Sequence, residues 1–323
     1  MILAGDIGGT KTHLALYEPQ SSHCIAEEKY HSREYKSLSE IIEKFISKHG
    51  VDIEKACLGV AGPIKHNVCR ATNLPWVIDG KVLAEVLKTK HVWLVNDLYA
   101  NAYGLKCLSP KEFFTLNEGV KDSIGNAALI SAGTGLGEAG LYWDGKTHHP
   151  FACEGGHVDF APRDQLEIDL WHYLRKKFEH VSYERVISGP GLYNLYRFLI
   201  DDRLENESDE IKEEMLRQDP SKVITEKAQN KQCPTCTRAL DWFISIYGSE
   251  AGNLALKVLA LSGVYIGGGI APKILEGLRS GGFMKAFVAK GRFAPMLEKI
   301  PIKIVLNDNT ALLGAAQYAR EMQ

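Results

Sequence analysis

A short apolar run at the start of the chain, Ile2-Leu3-Ala4, breaks into Gly5-Asp6-Ile7-Gly8-Gly9-Thr10-Lys11-Thr12. Paired glycines let a backbone turn tightly, and a turn of N–H groups beside a threonine hydroxyl can cradle phosphate. Asp6 adds a carboxylate suited to a metal ion or its bound water. Taken singly, the segment also fits a plain β-hairpin. Two further segments shift that balance. Ser131-Ala132-Gly133-Thr134-Gly135-Leu136-Gly137 follows the apolar Ala127-Ala128-Leu129-Ile130, and Gly267-Gly268-Gly269-Ile270-Ala271-Pro272 follows another apolar run. Three strand-then-glycine turns in one chain fit a nucleotide gripped from several sides better than three independent hairpins.

The chain has 323 residues, 45% of them hydrophobic, enough for two domains with separate cores. A net charge of −2 gives no electrostatic support to a nucleic-acid or anionic-membrane partner, and no Lys/Arg run or zinc-finger spacing appears. Phosphate binding therefore has to come from backbone donors and a metal ion. The first residues lack a basic segment and meet an acid at Asp6, unlike a signal peptide, so a cytoplasmic protein is expected. Residues 254–271 are apolar except for Lys257, but the Ser262-Gly263 break and the three glycines point to a buried helix followed by a buried strand. Seven scattered cysteines, an odd number, are read as reduced thiols. Cys233-Pro234-Thr235-Cys236 has no second pair or nearby histidine and supplies only half a zinc site, so it is read as structural.

Alternation through residues 1–17 predicts two strands around the first glycine turn, and Leu38, Ile41, Ile42, Phe45 and Ile46 predict an amphipathic helix over 37–49. Strands are expected at 56–61 and at 92–95, the latter ending at Asn96-Asp97. The polar cluster near Ser109-Pro110 marks the crossing into a second domain. There the plan restarts: a strand at 127–131, a glycine turn, a strand at 137–142, and helices from about Leu166. This repeats architecture rather than sequence and fits a duplicated α/β fold with a cleft between its halves. The acid-dominated stretch 201–214 reads as a solvated helix face or loop, the His148-His149 pair as surface loop, and 310–320 as the last helix.

Phosphoryl transfer needs a hydroxyl held in line with the γ-phosphate, a base for its proton, and compensation of phosphate charge. Asp97, an acid directly after an apolar strand, is the candidate base; the pair Asn96-Asp97 also fits an ordinary helix cap before Leu98. A pyranose presents several hydroxyls, and carboxylates accept two hydrogen bonds at once. Glu154 and His157, with Gly155-Gly156 between them, and Glu184 offer such partners, although each taken alone also fits a solvated surface residue.

Together these segments resemble the sugar-kinase branch of the actin-like ATPase superfamily, the bacterial glucokinases in particular. The resemblance spans nearly the whole chain. It rests on the three glycine turns, Asn96-Asp97, Glu154-Gly155-Gly156-His157-Val158-Asp159-Phe160-Ala161-Pro162 and Glu184-Arg185-Val186-Ile187-Ser188-Gly189-Pro190-Gly191-Leu192. It implies an α/β, duplicated actin-like ATPase (ribonuclease H-like) fold, with a small domain of residues 1–108 plus 306–323 and a large one of 109–305. It implies Asp97 as catalytic base, with Asn96, Asp97, Glu154, His157 and Glu184 around the sugar. It also implies a sugar contact at Asn73, in Asn73-Leu74-Pro75-Trp76. For the nucleotide it implies Asp6 holding Mg²⁺ through water and Gly8, Gly9 and Thr10 near the β- and γ-phosphates. Gly133, Thr134 and Gly135 would cradle phosphates from the other domain, and Gly267, Gly268 and Gly269 would flank the adenosine. Lys11 departs from the smaller residue or Asn often found there; it fits a phosphate contact or a solvent-facing strand lysine.

The expected activity is ATP- and Mg²⁺-dependent phosphorylation of glucose at its 6-hydroxyl by a cytoplasmic homodimer, with no nucleic-acid or membrane partner. A kinase for another hexose, or one using polyphosphate, shares the same loops. An actin-like or chaperone-type ATPase is the alternative of a different class, and the sugar constellation argues against it. A sugar-responsive repressor of the superfamily would need a DNA-binding module, for which a first turn beginning at residue 5 leaves no room at the amino end.

Overall fold

The computed structural model describes residues 1–71, 74–203 and 205–322. It has two units: Met1–Glu112 with His149–Ala152 and Asn307–Gln323, and Phe113–His148 with Cys153–Leu306. Asn73 lies outside the described residues.

The first unit opens with β1 (Ile2–Ile7), β2 (Lys11–Tyr17), β3 (Cys24–His31), α1 (Leu38–His49) and β4 (Lys55–Val60). Three short strands, β5 (Ile64–Lys65), β6 (Val68–Arg70) and β7 (Val77–Asp79), lead to α2 (Gly80–Leu87), β8 (Val92–Asn96) and α3 (Asp97–Gly104). The main sheet has the order β3-β2-β1-β4-β8. β1, β4 and β8 are parallel, whereas β2 and β3 fold back antiparallel. Both faces are covered, which is why β1 and β4 read as near-continuous apolar runs. Leu3, Leu14, Leu16 and Leu58 pack with Ile41 and Phe45 of α1 on one side. Ile2, Ala4, Ala15 and Cys57 pack with Ala315, Ala316 and Ala319 of the C-terminal helix (Thr310–Glu321) on the other.

That helix also fixes α3. A Cβ on Gly314 would stand 1.8 Å from the Ala100 carbonyl oxygen, and one on Gly104 would stand 2.0 Å from that of Thr310. Only glycine allows this approach, and the start of α3, where Asp97 sits, is positioned by it.

The second unit contains β9 (Phe113–Asn117), β10 (Ala127–Ala132), β11 (Leu136–Trp143), α4 (Gln165–Arg175), α5 (Gly189–Asp201), α6 (Asp209–Arg217) and α7 (Pro220–Gln229), and its sheet takes in β12 (His148–Cys153), of which residues 149–152 group with the first unit. The 25-residue α8 (Pro234–Val258) follows, then β13 (Gly263–Gly267), α9 (Leu275–Arg279), α10 (Gly282–Val288), α11 (Ala294–Leu297) and β14 (Ile302–Val305). The sheet order is β12-β11-β10-β13-β14-β9, with β10, β13 and β14 parallel. Hairpin, then parallel strands: this is the plan of the first sheet again. Tyr247, Phe243 and Ala251 of α8 are buried in the core with Ala128, Ile130 and Ile266 of the sheet.

The apolar stretch 254–271 is the end of α8 followed by β13, and among the described residues no helix is long and apolar enough to cross a membrane. Two expectations are corrected. His148 and His149 belong to a strand, not a loop; the His148 ring lies 4.9 Å from that of Trp143 and its Nε2 donates to the Gly125 carbonyl at 2.9 Å. Cys233 and Cys236 form a disulfide rather than two reduced thiols. Cys233 caps α8 and Cys236 lies in its first turn, which brings the two Cα atoms to 5.2 Å, within the range a disulfide spans.

Candidate active site

In the first unit, the parallel register places Asp6 beside Gly59 and Gly59 beside Val95, so that Asn96 and Asp97 follow at the same end of the sheet. Gly59 makes room there: a Cβ on it would lie 3.1 Å from Ala100 Cβ and 3.5 Å from Asp97 Cα. Asn96 caps α3, its Oδ1 accepting from the N–H groups of Leu98 at 3.0 Å and Tyr99 at 3.2 Å. The helix-cap alternative is thus realised for Asn96. It engages the carbonyl side of the amide and puts Asp97 on the first turn, where helix N–H groups favour a carboxylate. Asp97 Oδ1 itself accepts from Leu98 N at 2.9 Å. Burial pushes the Asp6 carboxyl up to about 6, and the negative charge of Asp97 adds to the effect.

The Gly8-Gly9-Thr10 turn closes with Gly8 N donating to the Lys11 carbonyl at 2.9 Å. Ser32, which the sequence reading did not single out, secures it: Ser32 N donates to the Thr10 carbonyl at 3.0 Å and Ser32 Oγ to that of Gly8 at 2.9 Å. Thr10 and Lys11 are exposed, and it is the Lys11 carbonyl, not its ammonium, that shapes the turn.

In the second unit the turn at Gly133, Thr134 and Gly135 joins β10 to β11. Gly133 N donates to the Gly135 carbonyl at 2.8 Å, and the Gly133 carbonyl accepts from Gly189 N, the first residue of α5, at 2.9 Å. A helix amino end therefore meets this turn, a setting that favours anions. The turn at Gly267, Gly268 and Gly269 lies alongside. Gly268 has φ +81°, and a Cβ on it would stand 2.2 Å from the Ala132 carbonyl oxygen, which accepts from Ile270 N at 3.3 Å.

Glu184, on the turn Tyr183–Arg185, reaches the same place. Its Oε2 accepts from Leu136 N at 3.0 Å and lies 2.4 Å from where a Gly135 Cβ would be. Ser188 Oγ donates to the Glu184 carbonyl at 2.7 Å while capping α5 through Gly191 N. Glu154 and His157 flank the turn Gly155–His157, with Oε2 and Nε2 4.0 Å apart and both side chains exposed. Gly155 and Gly156 press this turn onto β11: Cβ atoms there would lie 1.9 Å from Glu138 Oε2 and 2.0 Å from the Leu136 carbonyl oxygen.

The pattern of the family described as Glucokinase matches residues 3–322. The chain belongs to the glucokinase family. It is 41% identical to a glucokinase of Nostoc punctiforme over 339 aligned residues, covering 100% of this chain and 99% of the relative. Among solved structures, a glucokinase from an Antarctic psychrotroph superposes with a TM-score of 0.83 at 30% identity, covering 99% of both chains. A ROK family glucokinase from Streptomyces griseus, in complex with glucose and AMPPNP, shares the fold with a TM-score of 0.70 at 19% identity, again covering 99% of both. The duplicated actin-like architecture expected from the sequence is the one this glucokinase family has.

Beyond Ser32, three supports of the site carried no sequence signal strong enough to find. Gly59 is a single glycine inside a strand, Tyr247 is an aromatic on a long core helix, and Glu138 is an acid within an apolar strand. Tyr247 OH donates to the Ile130 carbonyl and accepts from Ala132 N, both at 3.3 Å, holding the end of β10 under its glycine turn. Among the described residues no group of three or more His, Cys, Asp or Glu side chains is gathered as a metal would need.

Proposed function

We propose that the chain transfers the γ-phosphoryl group of ATP to the 6-hydroxyl of glucose, with Asp97 as the base. The observation that carries this reading is the placement of Asp97 on the first turn of α3, its charge bearing on Asp6. A carboxylate held there by a cap and by the glycine-packed C-terminal helix can accept the proton of an attacking hydroxyl without moving. Asn96, whose carbonyl side is engaged in capping, has an amide NH₂ to offer a sugar hydroxyl. Glu154, His157 and Glu184 orient further hydroxyls, and the turns at Gly8, Gly133 and Gly267 present backbone donors to the nucleotide.

Two neighbouring acids, one with its carboxyl pushed up to about 6, fit a divalent cation that offsets their charge. Asp6 is the residue that would hold Mg²⁺, through water, and with so few protein ligands the ion would share its shell with phosphate oxygens. When bound, Mg²⁺ supplies compensation for the charge on the β- and γ-phosphates. ATP as donor supports a cytoplasmic enzyme, and a homodimer is the assembly to test by light scattering.

A panel of hexoses in a coupled ADP-release assay tests the reading. ADP release that depends on glucose, with other epimers at least tenfold poorer in kcat/KM, is the expected result. Glucose-independent ADP release would instead favour an ATPase, and turnover with polyphosphate in place of ATP would change the donor.

A further inference from the structure

Beneath the turn Gly155–His157 lies a buried polar cluster that the reaction outlined above does not use. Glu138 on β11 is 1% exposed and Glu250 on α8 is fully buried. Glu250 is fully engaged: Oε1 accepts from Lys257 Nζ at 3.0 Å and Oε2 from Asn253 Nδ2 at 2.7 Å. Asn253 Nδ2 also donates to the hydroxyl of Tyr183, the neighbour of Glu184, at 3.0 Å. Glu138 Oε1, by contrast, is buried without a hydrogen-bond partner, and the charge of Glu250 bears on the Glu138 carboxyl. Two neighbouring buried carboxyl groups, with one ammonium paired to Glu250, favour one negative charge and one shared proton. Lys257 and Asn253 donate to both Glu250 oxygens, which leaves the proton to the unpartnered Glu138.

The surroundings agree. Burial, then the charge of Glu250, push Glu138 up to about 8, with Lys257 opposing. The other titratable groups near the pair are Tyr247 on α8, Cys153 at the end of β12, Tyr183, and Lys290 beyond Glu250. Lys257 forms an ion pair with Glu250 at 3.0 Å. Glu138 Oε2 occupies the space where a side chain on Gly155 would go, so the turn rests on this carboxyl.

We propose that Glu138 is a positioning residue for sugar binding: its protonated carboxyl, beside Glu250, is the floor under Gly155, and loss of that proton displaces the turn carrying Glu154 and His157. This rests on the reading that Glu154 and His157 contact glucose. Ionised Glu138 would face Glu250 as a like charge in a buried site, and the thin Gly155-Gly156 turn above is the part able to give way. The consequence is an alkaline loss of glucose affinity that leaves the nucleotide turns unaffected.

The test is the pH profile of Glu138→Gln, whose amide is neutral as the acid is but has no proton to lose. In the wild-type protein, the glucose KM should rise about tenfold per pH unit above about 8, with the ATP KM constant. In Glu138→Gln the neutral-pH glucose KM should stay within about twofold of wild type and the alkaline rise should vanish. An alkaline limb identical in both proteins would overturn the proposal, as would its absence from the wild type. Should the variant not fold, carbon-13 spectra of wild-type protein labelled at glutamate side-chain carboxyls decide instead: one resonance titrating near pH 8 is expected, and none titrating above neutrality is the overturning result. Glu154→Gln at neutral pH separates the two readings. A raised glucose KM there, with no effect of Glu138→Gln on the profile, removes this proposal alone; an unmoved one removes the sugar contact on which it rests.

Discussion

Glu184 and Leu136 are joined by a hydrogen bond, the Glu184 Oε2 accepting from the Leu136 backbone N–H at 3.0 Å, directly past the glycine turn at residues 133–135. A candidate sugar carboxylate and a candidate phosphate turn are therefore parts of one rigid piece. Gly135 allows it, because a Cβ there would stand 2.4 Å from Glu184 Oε2, whereas one on Gly133 would meet nothing within 4 Å. Gly135→Ala must push the carboxylate away and break its bond. Its loss of kcat/KM for glucose should reach about ten- to a hundredfold, the scale of one broken charge-assisted hydrogen bond. Gly133→Ala should keep the glucose KM within about threefold. Steady-state kinetics on both variants is the check, and equal effects on the glucose KM would sink the coupling.

Asp97→Asn keeps the shape of the side chain at the first position of α3 while removing its ability to accept a proton. The Asn96 cap and the Gly314–Ala100 approach that position α3 are untouched, so fold and glucose binding should survive. Turnover should fall by about 10² to 10⁴, the usual worth of a placed base. Glucose titration by intrinsic fluorescence beside kcat separates binding from chemistry; near-normal kcat would take Asp97 out of the role.

Asp6 gives a pH prediction with a definite sign. Its folded-state pKa, raised from 3.8 to about 6, means that the native state holds the proton more tightly than the unfolded chain. The stabilising contribution is fully present below about pH 4 and is lost as pH rises through about 6. At about 1.4 kcal/mol per unit, ionised Asp6 costs at most about 3 kcal/mol at neutral pH. Without divalent ions, Asp6→Asn should therefore melt higher than wild type at pH 7 and level with it near pH 4. Calorimetry across that window checks it, and a lower Tm for Asp6→Asn at pH 7 contradicts the assignment.

The strands β1, β2, β4, β8, β10 and β11 were legible because they are buried apolar runs beside the turns, whereas the half-exposed β3 and the exposed β12 were not. Glu154, His157, Glu184 and Asp97 stand as candidates by resemblance alone, since each by itself looks like a surface acid, a surface histidine or a cap. What remained hidden is what works through contact across the fold. Ser32 is 24 residues from the turn it ties at Gly8, and Glu138 acquires meaning only when α8 brings Glu250 against it. The Cys233 and Cys236 pairing was misread because an odd cysteine count says nothing about a local helix cap.

The last prediction separates two carboxylates that resemblance alone treats alike. Glu154 is exposed beside His157 and touches no nucleotide turn, whereas Glu184 holds Leu136 at the end of one. Glu154→Gln should raise the glucose KM with the ATP KM unchanged, and Glu184→Gln, losing an ionic acceptor for Leu136 N, should raise both. Each buried contact is satisfied only when its hydroxyl is present, so deoxy-glucoses should lose kcat/KM at about 1 to 3 kcal/mol per missing partner, roughly ten- to a few hundredfold. In the Glu154→Gln background, the deoxy-sugar lacking the hydroxyl that Glu154 accepts should show no further loss, because the contact is already gone. A double-mutant style comparison, wild type and variant against each deoxy-sugar, measures this directly. Strictly additive losses for every deoxy-sugar would place Glu154 outside the sugar contacts, and a parallel rise in the ATP KM of Glu154→Gln would assign it to the turn at residues 133–135 instead.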